Sequence, residues 1–396
     1  MPAEQRIRIL TPEQAVSDIT TPSTAIGAVL SSTFARPRSQ RVIVIGDSID
    51  QTSDQGANFW GGSVWSWLSF WTKGRFNLLS NVAIGGNSTQ SMRNRFVADV
   101  VNKSPGIVVI GGGRNDIGGG VPAATTKENF DWMVRTALAA KIVPVLHTVA
   151  PVENTAHRQG TLDLNTWMKA YAEAMGVECI DWWKYWANQT TGGWLVGYSD
   201  DGVHPNGTAV KAAVHALRVG GLPGIFTGTV ELPLSSTDPT NLWSNALNTL
   251  DTNADGTPDG WFFNGSTDAS VVTGVALGKM IRVTPGPAGE LRVAYGPSTG
   301  AGAISPGDVL EIIGRIQASG AGKLTITTQN QDYQTLTTMV SGSIGDVPDG
   351  VFRSRYTVPA TGVTSIMLVP TAQTTVGSWI QVGQMCLRNL TRLGLV

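Results

Sequence analysis

Residues 41–48 read Arg-Val-Ile-Val-Ile-Gly-Asp-Ser. Four consecutive β-branched residues with no polar interruption predict a short strand buried on both faces, as in a parallel sheet. The Gly46-Asp47-Ser48 that follows turns the chain where the strand ends, and glycine permits a sharp turn there. The Ser48 hydroxyl is thereby exposed at the sheet rim. A serine after a strand is commonplace, so its meaning rests on what else reaches the same rim.

Outward from that stretch, residues 41 to about 222 alternate β-branched runs with helical ones. Strands are predicted at 41–45, 77–84, 106–110, 143–148 and 177–181, and helices at 57–72, 88–101, 127–140, 162–175 and 207–219. Five short apolar strands joined by helical crossovers imply an α/β domain whose parallel sheet is covered on both faces. Ligands of such sheets bind at the carboxyl ends of the strands. Ser48, Gly86 and Asn115 each follow directly after a predicted strand, which puts them on one rim.

Three further segments complete a set with chemical meaning: Gly85-Gly86-Asn87, Gly113-Arg114-Asn115-Asp116 and Asp201-Gly202-Val203-His204-Pro205. Acyl transfer needs a nucleophile, a base, a group that orients the base, and donors aimed at the oxyanion. Ser48 offers the hydroxyl and His204 the base. Pro205 holds His204 out of helical geometry and starts the next helix. Asp201, three residues upstream, reaches Nδ1 and fixes the tautomer, with Asp200 as a second, less natural candidate. The N–H groups of Ser48 and Gly86 and the Asn115 amide supply oxyanion donors. Each piece also has a plain reading: a solvated Asp-His turn, a Gly-Gly turn, a helix cap at Asn115-Asp116. The argument lies in their joint occurrence. The serine is not in the Gly-x-Ser-x-Gly elbow, because residue 50 is Asp. His147, inside an apolar strand run, reads as a hydrogen-bonded core residue, His157 as a loop residue and His215 as a helix residue. Arg114 either points toward substrate or pairs with a surface carboxylate, the second being preferred.

These blocks resemble those of the SGNH (GDSL-type) hydrolase superfamily: Gly-Asp-Ser at 46–48, residues 81–87 around Asn87, Gly-x-Asn-Asp at 113–116 and Asp-x-x-His-Pro at 201–205. The match spans roughly residues 41–222, with Ile49 where many members have Leu. The resemblance implies a flavodoxin-like three-layer α/β/α sandwich, Ser48 as nucleophile, His204 as base with Asp201 its partner, an oxyanion hole of Ser48, Gly86 and Asn115, and no required cofactor. Members include lipases, thioesterases and carbohydrate acetylesterases. An apolar lid would suit a lipase; Trp60, Trp65, Trp67 and Trp71 also match helical spacing and are assigned to core packing.

At 396 residues the chain exceeds one ordinary core, and its texture changes near residue 222. The expected organisation is an N-terminal strap or attachment segment at 1–40, the hydrolase domain at 41–222 and a second domain at 223–396. A net charge of -1, with 14% charged residues and no basic cluster, favours neither nucleic acid nor an anionic membrane as partner. A neutral glycan fits better. No apolar stretch of signal-peptide or membrane-span length is present, and Cys179 and Cys386 read as buried thiols rather than a disulfide framework.

Beyond residue 222 helical periodicity gives way to short alternating runs at 279–283, 309–316, 323–328, 335–340, 365–369 and 379–387, which predict an antiparallel β-sandwich of jelly-roll type. The domain resembles jelly-roll carbohydrate-binding modules, with Trp243, Trp261, Tyr295, Tyr333 and Trp379 available either to stack on sugars or to fill the core. Asp251, Asn253, Asp255 and Asp259 have the oxygen spacing of a calcium loop, although residue 262 is Phe where an EF-hand has Glu; a solvated turn is the competing reading. Residues 25–37 resemble N-terminal stretches of bacteriophage tail-fibre and tailspike proteins. Together these point to a virion-borne or extracellular serine esterase, trimeric in the manner of such fibres and associated with other virion proteins, that removes O-acetyl groups from a bacterial glycan. A long-chain esterase and an inactive receptor-binding tail protein are the alternatives.

Overall fold

A computed structural model describes residues 40–51, 64–218, 222–228, 232–263, 269–284, 291–295, 303–320, 323–332, 334–343, 346–360, 363, 365–373 and 377–394. The expectations for residues 1–39, for Trp60 and for Tyr333 lie outside these.

Strand β1 (Arg41–Ile45) is flanked in parallel register by β2 (Asn77–Asn81) and β3 (Ile107–Ile110), and β4 (Val143–His147) and β5 (Glu178–Ile180) extend the sheet in the order β2-β1-β3-β4-β5. That order is the flavodoxin-like one, whose switch point lies between β1 and β3. Between and after the strands run α1 (Val64–Trp71), α2 (Thr89–Asp99), α3 (Arg114–Gly118), α4 (Ala123–Ala139), α5 (Thr155–Met175), α6 (Trp183–Trp186) and α7 (Gly207–Ala216). Successive residues of β1 point to opposite faces and enter different cores. Ile43 and Ile45 join Met92, Phe96, Phe130, Met133 and Met168 from α2, α4 and α5, while Val42 and Val44 join Trp65, Leu68, Val210 and Val214 from α1 and α7. The expected α/β/α architecture is therefore the observed one.

Boundaries differ where capping decides them. Helix α5 begins at Thr155 rather than 162 because the Asn154 side chain accepts from the Ala156 N–H, and His157 consequently stands in its first turns rather than in a loop. Helix α4 starts at Ala123, after Pro122. Helix α7 starts at Gly207 with Asn206, not Pro205, as its cap.

The C-terminal region contributes β6 (Trp261–Phe263), β7 (Ala269–Val272), β8 (Met280–Val283), β9 (Leu291–Tyr295), β10 (Val309–Ser319), β11 (Lys323–Asn330), β12 (Thr335–Ser343), β13 (Val347–Thr357), β14 (Ile366–Gln373) and β15 (Trp379–Asn389). All their pairings are antiparallel, in two sheets ordered β13-β10-β15-β8-β7 and β12-β11-β14-β9-β6. Leu310, Ile312 and Ile316 from one sheet meet Ile326, Ile366 and Leu368 from the other in a shared core. Trp243 and Trp261 are buried there, their indole N–H groups donating to the Ile366 carbonyl and to Asn248 Oδ1. They serve the core rather than a sugar platform. Trp379 is half-buried with the Arg282 guanidinium 4.3 Å over its ring.

The two regions share their packing. Helix α1 lies against β13, and Gly350 comes so close to Phe70 that a Cβ there would stand 3.0 Å from the ring. Around this contact Lys73 pairs with Asp349, which also takes a bidentate bond from Arg315 at 2.9 Å, and Arg353 reaches both Asn77 and the buried Glu311. Phe70 is 2% exposed. Removing a buried aromatic ring leaves a cavity that typically costs about 3–5 kcal/mol. Phe70→Ala is thus expected to lower the urea midpoint of the whole chain, read by tryptophan fluorescence, without changing the residues that surround Ser48.

Candidate active site

Ser48 sits one turn after β1. Asp47 organises the turn: its Oδ1 accepts the Ile49 N–H at 2.9 Å, and its carbonyl accepts the N–H of Asp50 at 3.2 Å and of Gln51 at 3.0 Å. The Ser48 Oγ lies 2.8 Å from His204 Nε2, and His204 Nδ1 lies 2.6 Å from Asp201 Oδ2. With a carboxylate on Nδ1, that nitrogen carries the hydrogen and Nε2 is left to accept one. The other oxygen of Asp201, Oδ1, accepts the backbone N–H groups of Val203 and His204, both at 2.8 Å, and the Ser199 hydroxyl at 3.2 Å. Burial works to raise the Asp201 pKa, but the bonds from His204 and Val203 outweigh it and bring the group down to about 2. Asp200 faces elsewhere, accepting from Asn206 Nδ2 at 2.8 Å. Of the two carboxylates, it is Asp201 that touches the imidazole.

Gly86 occupies a tight turn after β2 at φ +77°, a left-handed conformation that suits glycine. Asn115 lies in the first turn of α3, and its Nδ2 donates one hydrogen to the Asn87 carbonyl at 3.0 Å. An amide nitrogen has two hydrogens, so the second remains for a ligand. Among the described residues the N–H groups of Ser48 and Gly86 have no acceptor. The support behind these donors was not predicted from sequence. Arg95 holds the Asn87 side chain at 2.9 Å, and the buried Asp116 accepts the Thr89 N–H at 2.9 Å, joining the starts of α2 and α3. Arg114 points neither to substrate nor to a surface carboxylate. It is buried, donates to the Ala150 carbonyl at 3.2 Å and Thr161 Oγ1 at 2.7 Å, and faces Asp47; burial pulls its pKa down. Burial and the neighbouring Asp50 push Asp47 up to about 6.

Residues 44–212 match the model of the GDSL-like lipase/acylhydrolase family. The GDSL-like region is also similar to solved structures. They include a GDSL-like lipase from Bacteroides thetaiotaomicron (22% identity, 50% of this chain, 98% of that one, TM-score 0.38). A second is a member of the lipolytic G-D-S-L family from Veillonella parvula (17%, 46% and 97%, TM-score 0.39). A third is an acetylxylan esterase from Geobacillus stearothermophilus (18%, 46% and 94%, TM-score 0.37). No curated protein matches the chain.

In the 251–260 loop, Asp259 Oδ1 accepts from the N–H and hydroxyl of Thr252, Asp251 Oδ2 from the Gly256 N–H, and Asp255 Oδ1 from the Thr257 N–H, while Asn253 donates to Asp255. Among the described residues no three His, Cys, Asp or Glu side chains stand together as a metal site. Cys179 and Cys386 are free thiols, each pushed up to about 12 chiefly by burial. No helix of the described residues is long and apolar enough to cross a membrane.

Proposed function

We propose that the GDSL-like region hydrolyses carboxylic esters with Ser48 as nucleophile, and that its substrate is an O-acetylated glycan. The observation that carries the first part is the unbroken Ser48–His204–Asp201 chain, 2.8 and 2.6 Å per link. His204 Nε2 takes the Ser48 proton as Oγ attacks the acyl carbon. The resulting oxyanion is met by the N–H groups of Ser48 and Gly86 and by the Asn115 amide. His204 then protonates the departing alcohol oxygen, and a water activated by the same nitrogen releases the acid. Asp201 stays ionised throughout and stabilises the imidazolium.

The glycan reading is supported by the near-neutral charge of the chain and by a β-sandwich packed directly on the hydrolase domain, since a tethered sugar polymer raises the local concentration of acyl groups. Hydrolysis of p-nitrophenyl acetate, butyrate and octanoate tests it, followed by acetate release from O-acetylated polysaccharide. Preference for acetate is the expected result. A preference for octanoate would replace the glycan by a lipid, and binding without Ser48-dependent turnover would leave a receptor-binding protein. A virion setting and a trimeric state extend this proposal, from the resemblance of residues 25–37 taken with the glycan-binding reading of the β-sandwich, and light scattering at three chain masses is the expected result.

Asn115 offers a quantitative check. Losing one oxyanion donor typically costs about a hundred- to a thousandfold in kcat. Asn115→Ala is expected to fall in that range on p-nitrophenyl acetate with KM little changed, because the amide meets charge that develops only in the transition state.

A further inference from the structure

Two residues after Ser48 the chain buries a second carboxylate and imidazole that the reaction above does not use. Asp50 is 0% and His147 2% exposed, and His147 Nε2 lies 3.0 Å from Asp50 Oδ1. The N–H direction misses the oxygen, so the contact is one of charges in proximity rather than an aligned hydrogen bond. The same Oδ1 accepts the Trp65 indole N–H at 2.8 Å. On the other side of the ring, His147 Nδ1 is 3.0 Å from the Thr148 carbonyl, which can only accept. With a carbonyl at Nδ1 and the Asp50 carboxylate beside Nε2, a neutral ring would turn its one lone pair toward an oxygen, whereas the imidazolium presents positive charge to both. Asp47, with Arg114 behind it, provides the other charges around the pair.

The backbone has been cleared to make room. A Cβ on Gly111, just after β3, would fall 1.8 Å from His147 Nε2, and one on Gly46, just after β1, would fall 1.9 Å from Asp50 Oδ2. The indoles of Trp65 and Trp182 close the chamber, their rings 5.4 and 6.3 Å from the imidazole. From this chamber the Asp50 backbone connects to the rim. Its carbonyl accepts Asn81 Nδ2 at 2.6 Å, its N–H closes the turn on the Asp47 carbonyl, and the adjacent Gln51 side chain accepts the Gly85 N–H. Ser48 and the Gly85-Gly86 turn are thus both tied to the segment that Asp50 anchors.

We propose that Asp50 and His147 form a buried carboxylate–imidazolium pair that positions the Ser48 turn, without contact with the reacting atoms. The role rests on the ester-hydrolase reading; the charge state of the ring does not.

The first test is 15N NMR of the full chain labelled at histidine. Variants His204→Ala, His157→Gln and His215→Gln assign three of its four rings, leaving His147 by exclusion. Both His147 nitrogens are expected to be protonated at pH 8, and a neutral ring there overturns the pair. The second test is the rate at which a fluorophosphonate labels Ser48 in Asp50→Asn, His147→Gln and the double variant, each corrected for folded fraction. Loss of one partner strands a buried charge, so the single variants lose stability that the double variant recovers. Labelling is expected to fall about ten- to a hundredfold in all three, since small misplacements of a nucleophile cost on that order. A double variant that regains the wild-type rate together with its stability would show that the pair only stabilises the fold. Absence of Ser48 labelling in the wild type would sink the ester-hydrolase reading and the positioning role with it. An imidazolium with unimpaired labelling in the variants would sink the positioning role alone.

Discussion

Ser48→Ala is expected to lower kcat on p-nitrophenyl acetate by about a millionfold, to the level set by the oxyanion donors and binding alone. The size follows from how the parts depend on one another. Without the hydroxyl there is no covalent acyl intermediate, and His204 has no proton to accept at the position its Nε2 occupies. Adding His204→Ala to Ser48→Ala should cost almost nothing more, because the two act as a unit joined by one 2.8 Å bond. Stability should change little, since Ser48 is only half-buried and its backbone is held by Asp47 rather than by its own side chain. A residual rate within a hundredfold of wild type would mean that another group attacks the ester.

Asp201→Asn is expected to cost about ten-thousandfold in kcat, whereas Asp200→Asn should stay within a few-fold of wild type. An amide at residue 201 can present its NH2 to His204 Nδ1, which then becomes the acceptor and turns Nε2 into the donor. That is the wrong tautomer for taking a proton from Ser48. The pH profile carries a second signature. Hydrogen bonds hold the folded-state pKa of Asp201 near 2, below its ordinary value of 3.8, so the stability it confers is present above about pH 4 and is lost only as pH falls toward 2. Between pH 4 and 9 the carboxylate therefore keeps its charge, and Asp201 adds no limb of its own to kcat/KM in that range. A loss of activity in that range that disappears in Asp201→Asn, or a larger loss from Asp200→Asn, would contradict the geometry.

Much of this site was legible because its residues sit where regular elements end. Runs such as Val42-Ile43-Val44-Ile45 fix a strand by composition alone, and the residue after each strand is then placed on the rim without knowing how the helices pack. His204 was legible for a local reason as well, since Asp201 lies three residues away and Pro205 constrains the backbone between the pair and α7. What escaped depends on distant parts of the chain. Nothing local links Asp50 in the first turn to His147 at the end of β4, and a histidine in an apolar run is as easily explained by a core hydrogen bond. Arg114 reads as a surface side chain until α5 brings Thr161 over it. Strand β13 escaped because Pro348-Asp349-Gly350 has the composition of a turn, yet it pairs with β10 through Gly350 and beyond. Asp349 is spent there on Lys73 and Arg315.

The shared floor between α1 and β13 constrains how the GDSL-like region can be reused. In many multidomain enzymes the catalytic unit is a cassette that can be cut at a linker and joined to another partner. Here the cut would lay bare Phe70, strand Lys73 and remove the cation that covers Asn77. A transplanted GDSL-like region would need a new underside before it needed a new specificity, so the sandwich belongs to its chassis as much as any helix of its own sheet.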